Sequence, residues 1–270
     1  MHPSKDENEP AAAGPGNIAS NLSGKPTIVV GASRGLGRGI ATAFAKAGAP
    51  VVAVSRTQAV FAETNSAGGS IRSEIADAGD ATVAGSLIDR YEPEVVILVA
   101  GATPHMRPLQ QHTWETFSIH WQTDVRIAFH WLREILLKPL RPSSRVIVFS
   151  SGAALHGSPI SGGYAGAKAT QRFIAGYAQD EAKRAGLDIT FTTVLSRFSP
   201  LTGVGRPAIQ AYAARAGQSV EAYLESFVQS GGPLVSPEIA GEALVQLVMA
   251  DAITVAPGYL LTGAGLQALP

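Results

Sequence analysis

Thr27-Ile-Val-Val-Gly-Ala-Ser-Arg-Gly-Leu-Gly37 is the stretch that decides the fold. Thr27 to Val30 is β-branched throughout, which predicts a short strand buried on both faces. Three glycines follow, and a helix is expected from Gly35 to Ala47. Between a strand and a helix a glycine motif has mechanical meaning. Gly31 permits a tight turn, Gly35 lets backbone amides approach a pyrophosphate, and Gly37 lets the helix pack close to the sheet. The helix N-terminus adds partial positive charge at the same place. The plainer alternative is a sharp turn that holds no ligand.

Outward from this unit, short β-branched runs alternate with longer helical stretches, the pattern of a parallel sheet covered by helices on both faces. Further strands are expected at Val51–Val54, Ser70–Arg72, Val95–Val99, Val146–Phe149, Ile189–Val194 and Gly258–Leu261. Helices are expected at Ala81–Tyr91, Trp114–Leu137, Tyr164–Ala185, Ser219–Gln229 and Pro237–Ala250. The fold class is therefore α/β: a Rossmann-like, doubly wound parallel sheet of about seven strands in a single domain over residues 25–270. Residues 201–235 interrupt the alternation and are too long for an ordinary connection, so a functional excursion such as a lid is expected there. Residues 1–24, rich in Ala, Gly, Pro, Asn and charge, read as a disordered leader without the apolar core of a secretion signal.

Composition narrows the chemistry. The 270 residues carry 21 Lys+Arg against 21 Asp+Glu, so no global basic field draws the chain to nucleic acid or anionic lipid. A small ligand read by local groups is the expectation. No cysteine is present, which excludes disulfides and thiolate chemistry, and the six histidines show no metal-ligand spacing. No apolar run approaches the roughly 20 residues that span a bilayer. A soluble, cytoplasmic protein without a catalytic metal is expected.

The chemistry gathers in the second half, in Ser161-Gly-Gly-Tyr-Ala-Gly-Ala-Lys168. A spacing of four stacks the Tyr164 phenol beside the Lys168 ammonium on one helix face. Alone this is a common surface pair. Its company matters: Ser151 ends the apolar run from Val146 to Phe149, and the glycine turn stands far upstream. The order Gly31-x-x-x-Gly35-x-Gly37, Ser151, Tyr164, Lys168 resembles the short-chain dehydrogenase/reductase family, over nearly all of Lys25 to Gln267. Glu74-Ile-Ala-Asp77 is similar to that family's acidic segment beside the adenine. Ala100-Gly101 is similar to the end of its strand-four motif, and Ser236-Pro-Glu-Ile-Ala240 to the start of its late helix.

The resemblance implies hydride transfer between a nicotinamide and a carbonyl or carbinol carbon. Tyr164 would exchange the proton, Lys168 would favour the phenolate and hold the ribose, and Ser151 would bind the substrate oxygen. Ser151 read alone is a strand-end hydroxyl capping a turn. The family's asparagine on the long central helix, which supports a water-linked relay behind the lysine, corresponds here to Asp124. An ionised aspartate accepts hydrogen bonds but donates none. Asp124 is therefore either a relay acceptor or a buried carboxylate paired with the lysine for structure. Coenzyme contacts are implied for Gly31, Ser33, Arg34, Gly35, Leu36 and Gly37 in the turn. Ser55 and Arg56 after the second strand, Glu74, Ile75, Ala100, Gly101 and Thr202 complete the set, with Tyr164 and Lys168.

An acid at the end of the second strand would repel a ribose 2′-phosphate; Ser55 stands there instead. With Arg56 next and Arg34 in the turn, two guanidinium groups point to NADP(H) over NAD(H), unless both are solvated surface arginines. Two motif sites depart from the family: Ile97-Leu-Val-Ala-Gly101 lacks its paired asparagines, and Ser196-Arg197 replaces its Pro-Gly. Substrate contacts are expected from His105, Met106, His156, Phe198 and Tyr212, with a hydrophobic ketone or alcohol as the ligand. Aromatic residues on the helices from Trp114 and Tyr164 read as core or as a subunit face, and the resemblance implies a homodimer or homotetramer. The leading expectation is an NADPH-dependent carbonyl reductase, reversible as an alcohol dehydrogenase. The alternatives are a coenzyme-binding sensor without turnover and an elimination or isomerisation enzyme.

Overall fold

Eight strands form one sheet in the order β3-β2-β1-β4-β5-β6-β7-β8 in the computed structural model, which describes residues 22–61, 69–197, 199–200 and 202–270. The strands are β1 (Thr27–Val30), β2 (Pro50–Ser55), β3 (Ser70–Ile75), β4 (Val95–Leu98), β5 (Ser144–Ser151), β6 (Ile189–Ser196), β7 (Gly258–Thr262) and β8 (Gly265–Ala268). Every ladder from β3 to β7 is parallel, and β8 alone runs antiparallel, on β7. Winding proceeds outward through β2 and β3, returns to β4 on the other side of β1, and continues to β7. The β1/β4 boundary is thus the switch point, where an open α/β sheet leaves a crevice past its strand ends.

Side chains alternate across the sheet, so each strand feeds two cores. Val29, Val51, Ile97 and Ile147 face the layer of α1 (Gly35–Lys46) and α9 (Pro237–Met249), with Phe44 and Leu244 buried among them. Ile28, Val30, Val52, Val96 and Val148 face α2 (Val83–Tyr91), α4 (Arg126–Leu137) and α6 (Tyr164–Arg184), and Trp131 and Ile135 fill that side. Covering both faces explains why β1 and β4 are apolar without alternation.

Four elements differ from expectation. The helix expected over Trp114–Leu137 is α3 (Trp114–His120), one π turn (Trp121–Val125) and then α4. A short α5 (Ala153–His156) follows β5, and the excursion carries two helices, α7 (Gly205–Arg215) and α8 (Val220–Gly231), where only the second was expected. The eighth strand closes a hairpin whose ends pair as Thr262 with Gly265, the latter at φ +107°. The structure does not describe residues 1–21, so most of the expected leader lies outside the described residues. Among the described residues no helix is long and apolar enough to cross a membrane.

Candidate active site

The crevice at the switch point encloses about 740 Å3 and is walled by residues at or just past the ends of β1, β2, β4, β5 and β6. Its phosphate end is the glycine turn. Gly31 sits at φ +95° and Gly35 at φ +55°, backbone that side-chain-bearing residues avoid. A Cβ on Gly31 would lie 2.6 Å from the Ala100 amide nitrogen, so this turn and the end of β4 meet only through a glycine. Arg34, the N-cap of α1, contributes no side-chain capping bond. The first-turn amides of α1 are thus left to an acceptor at the crevice wall, and a pyrophosphate suits them.

Ser33, Arg34, Leu36, Ser55 and Arg56 all line the same end. Ser55 Oγ donates to the Thr57 carbonyl at 2.8 Å. The Arg34 guanidinium lies against Gly203, where a Cβ would come within 3.6 Å of its Cζ. Thr202 faces Gly35, and its hydroxyl donates to Ser199 O at 2.8 Å while accepting from the Gly205 amide at 2.9 Å. Donors, glycines and guanidinium groups fit a dinucleotide, with no acid at the end of β2 to oppose a phosphate.

Ser151, Tyr164 and Lys168 line the other end. Register places Ser151 opposite Ser196, and the Gly152 amide donates to Ser196 O at 2.9 Å. Ser151 Oγ accepts from the Ala153 amide at 3.2 Å, which leaves its O–H to donate elsewhere. Tyr164 opens α6 one turn before Lys168, whose Nζ is 5.6 Å from the phenol ring centre. Ser150 Oγ donates to the Lys168 carbonyl at 2.7 Å and fixes this turn of α6 to β5.

Behind Lys168 the π turn delivers Asp124. Its Oδ2 is 3.1 Å from Lys168 Nζ, and its Oδ1 accepts from the Ala102 amide at 2.7 Å. A Cβ on Gly101 would meet that carboxylate at 2.7 Å, which is why Ala100-Gly101 ends the strand here. Lys168 Nζ also donates to Gln171 Oε1 at 2.9 Å, and Gln171 Nε2 donates to the Asp124 carbonyl at 3.0 Å. One ammonium donor is anchored on Gln171, and Asp124 Oδ2 holds the group by charge without a well-formed hydrogen bond. Burial pushes the Asp124 carboxyl up, but Lys168, His120 and the Ala102 amide outweigh it and hold it below the usual carboxylate range. Burial likewise pulls Lys168 down, while Asp124 and then Tyr164 draw it above the ordinary lysine value. The pair is ionised: Asp124 carries a charge where an asparagine would carry none.

Several expected contacts are placed elsewhere. Glu74 accepts from Arg90 Nη1 at 3.0 Å and from the Tyr91 hydroxyl at 2.6 Å, and Ile75 is exposed, so neither lines the crevice. Glu74 turns to α2, whose last residues Arg90 and Tyr91 hold it, and Ala76, Asp77 and Ala78 line the crevice instead. His105 is exposed and points off the wall that its neighbours Pro104 and Met106 form. His156 and Tyr212 line the crevice, and Phe198 lies outside the described residues. The excursion adds Tyr223 and Phe227 to the wall, and Tyr212 OH is 2.7 Å from Ser158 Oγ, joining α7 to the loop after α5. Burial, with Tyr212 beside it, pushes the Tyr223 phenol up.

His120 and Gln171 escaped the sequence reading, although both are wholly buried at this centre. The signal was present as spacing: His120 precedes Asp124 by four residues and Gln171 follows Lys168 by three, both same-face intervals.

Comparison with known proteins places these motifs in context. A family model described as short chain dehydrogenase matches residues 25–197. A short chain dehydrogenase of Pseudocercospora fijiensis is 31% identical over 171 residues, covering 58% of this chain and 55% of that protein. A hydroxynaphthalene reductase-like protein of Metarhizium majus is 30% identical over 181 residues, 61% of this chain and 65% of that one. The chain therefore spans less than two thirds of the length of these relatives. Among solved structures, a short chain dehydrogenase from Mycobacterium avium superposes with a TM-score of 0.69 at 21% identity, over 93% of this chain and 86% of that chain. One from Francisella tularensis does so with a TM-score of 0.71 at 16% identity, over 87% of this chain and 95% of that chain. At such identities these two establish the fold.

Proposed function

Because the chain belongs to the short chain dehydrogenase family, oxidoreductases that work with nicotinamide coenzymes, we propose that it is an NADPH-dependent reductase of apolar, bulky ketones, reversible as an alcohol dehydrogenase. The observation that carries this reading is the anchored pair: Lys168 is held on Asp124 and Gln171, with Tyr164 one turn away at the crevice wall.

The coenzyme, when bound, supplies the hydride. Its pyrophosphate suits the amides after Gly31 and Gly35, its 2′-phosphate the guanidinium groups of Arg34 and Arg56, and its ribose Lys168. The protein supplies the rest. Ser151 Oγ donates to the substrate oxygen and holds it beside Tyr164, a positioning that also stabilises charge as it builds on that oxygen. Tyr164 OH then passes its proton to that oxygen, and the Lys168 ammonium steadies the phenolate left behind. Asp124 keeps Lys168 protonated throughout.

Tyr212, Tyr223, Phe227, Leu155 and Pro159 make the outer wall mostly aromatic and apolar. Such a wall selects a substrate by area and shape more than by charge, with the excursion acting as its lid. The relative named for hydroxynaphthalene supports a ring ketone as the substrate class. The exposed Phe129 on α4 and Phe173 and Tyr177 on α6, a helix packed beside it, support assembly as a homodimer or homotetramer through these helices.

A panel of cyclic and aryl ketones with NADPH, read by loss of its near-ultraviolet absorbance, tests the reading. Turnover is expected, and Tyr164→Phe should lower kcat by about 10²–10⁴-fold, as loss of a general acid does. Undiminished turnover in that variant would overturn the mechanism. Tight NADPH binding without turnover on any ketone would favour the sensor instead.

A further inference from the structure

We propose that His120 is a positioning residue of the reaction: it takes up negative charge from Asp124, so that the carboxylate does not cancel the field of Lys168 at Tyr164. The proposal rests on the reductase reading above.

The reasoning starts from a conflict of charge. An ammonium assists a neighbouring phenol to the extent that its own charge is not neutralised by something else. Asp124 Oδ2, at 3.1 Å from Lys168 Nζ, is such a neutralising group, in a site where Asp124 and Lys168 are both buried. Poorly solvated charges act strongly on one another, so the opposing effect at Tyr164 is not screened away by water. A carboxylate behind the lysine weakens the catalytic pair unless part of its charge is taken up from another side.

His120 occupies that other side. Its ring is wholly buried at the end of α3, and Nδ1 stands 3.5 Å from the same Oδ2 that meets Lys168. The remaining oxygen, Oδ1, is held by the Ala102 amide. The imidazole also meets the Tyr164 ring edge-on, with centroids 5.0 Å apart, and so touches the acid as well as the carboxylate. Neither ring nitrogen makes a well-formed hydrogen bond; the 3.5 Å approach is an electrostatic contact. Burying an imidazole on those terms costs stability that an apolar side chain of similar size would not. A purely structural site would favour Phe or Leu here. Among the described residues the titratable groups in contact with His120 are Asp124 from the π turn and Tyr164 from α6, and Lys168 stands against both of them.

The test is a cycle read in two ways on the full-length protein. Ionisation of Tyr164 is followed without coenzyme or substrate as ultraviolet phenolate absorbance, taken as the difference between each protein and its Tyr164→Phe counterpart, so that the other tyrosines cancel. Turnover is measured separately with a ketone. His120→Phe is expected to move Tyr164 ionisation to higher pH and to lower kcat about tenfold, the scale of one lost charge-assisted contact. Adding Asp124→Asn to His120→Phe removes the unbalanced charge and should bring both readouts back toward the parent. A space-filling role for His120 would give no such restoration. Tyr164 ionising in His120→Phe at the parent pH, or a double variant no better than the single, overturns the proposal. If His120→Phe fails to fold, His120→Gln is compared with His120→Gln/Asp124→Asn, with the same restoration expected and the same results overturning it. Should no ketone turn over, the reductase reading fails while the phenolate cycle still decides the role of His120.

Discussion

Arg56 follows Ser55 directly at the end of β2, exposed and on the crevice wall, with Arg34 on the same wall at the start of α1. Replacing this cation by an acid both removes a charge-assisted contact and repels a phosphate. Arg56→Asp should therefore shift the ratio of kcat/KM for NADPH over NADH by about ten- to a hundredfold toward NADH. An unchanged ratio would show that the 2′-phosphate is not read there. That these residues share one crevice wall was legible from chain order, as it was for Tyr164, Lys168 and Ser151. Glu74, expected beside the adenine, instead meets Arg90 and Tyr91 of α2 and does not line the crevice, a contact that chain order does not reveal. His120 was illegible for another reason, since one histidine among Trp114, Phe117 and Trp121 looks like packing until its distance to Asp124 is known.

At the scale of elements, the π turn between α3 and α4 orients the centre. It sets Trp121 against the first turn of α6 and Asp124 against Lys168. Phe117 and Trp114 extend this contact as a stacked series, with ring centres 6.1 Å and 5.9 Å apart. A Cβ on Gly163 would collide with the Phe117 carbonyl and the Trp121 ring, and one on Gly166 would lie 2.8 Å from Trp121 Cη2. Gly163→Val should act as a wedge between the π turn and α6. Overpacking of this kind costs about 1–3 kcal/mol, visible as a lower denaturation midpoint, and turnover should fall as the first turn of α6, which carries Tyr164, is displaced. An unaltered midpoint with full activity would show that the two elements tolerate separation. The sequence announced one helix here because apolar residues continue in helical rhythm through Trp121–Val125, and one widened turn leaves no composition cue. Helix α7 was hidden by Gly203, Gly205 and Pro207 at its start, which read as loop.

At the scale of the whole molecule, the sheet and its doubly wound order followed from β-branched runs and their spacing, and the crevice followed from the winding. On how copies meet, the sequence left the aromatic residues of the helices from Trp114 and Tyr164 as either core or a subunit face. Phe129, Phe173 and Tyr177 remain between 53% and 61% exposed on α4 and α6, a concentration of aromatic surface that a solitary chain keeps at a cost in solubility. The proposed assembly through α4 and α6 predicts that the parent sediments as an oligomer and Phe173→Glu as a monomer with an unchanged far-ultraviolet spectrum; a monomeric parent, or a variant that keeps the parent mass, would overturn it.

The terminal hairpin sets a limit on that assembly. Along β7, main-chain groups are paired with β6 on one side and with β8 on the other. No partner strand can dock edge-on there, so two copies cannot fuse their sheets into one continuous ribbon through β7. The outermost edge is instead β8, four residues long, too brief a rail to template another chain. Quaternary growth on that flank is left to side chains rather than backbone.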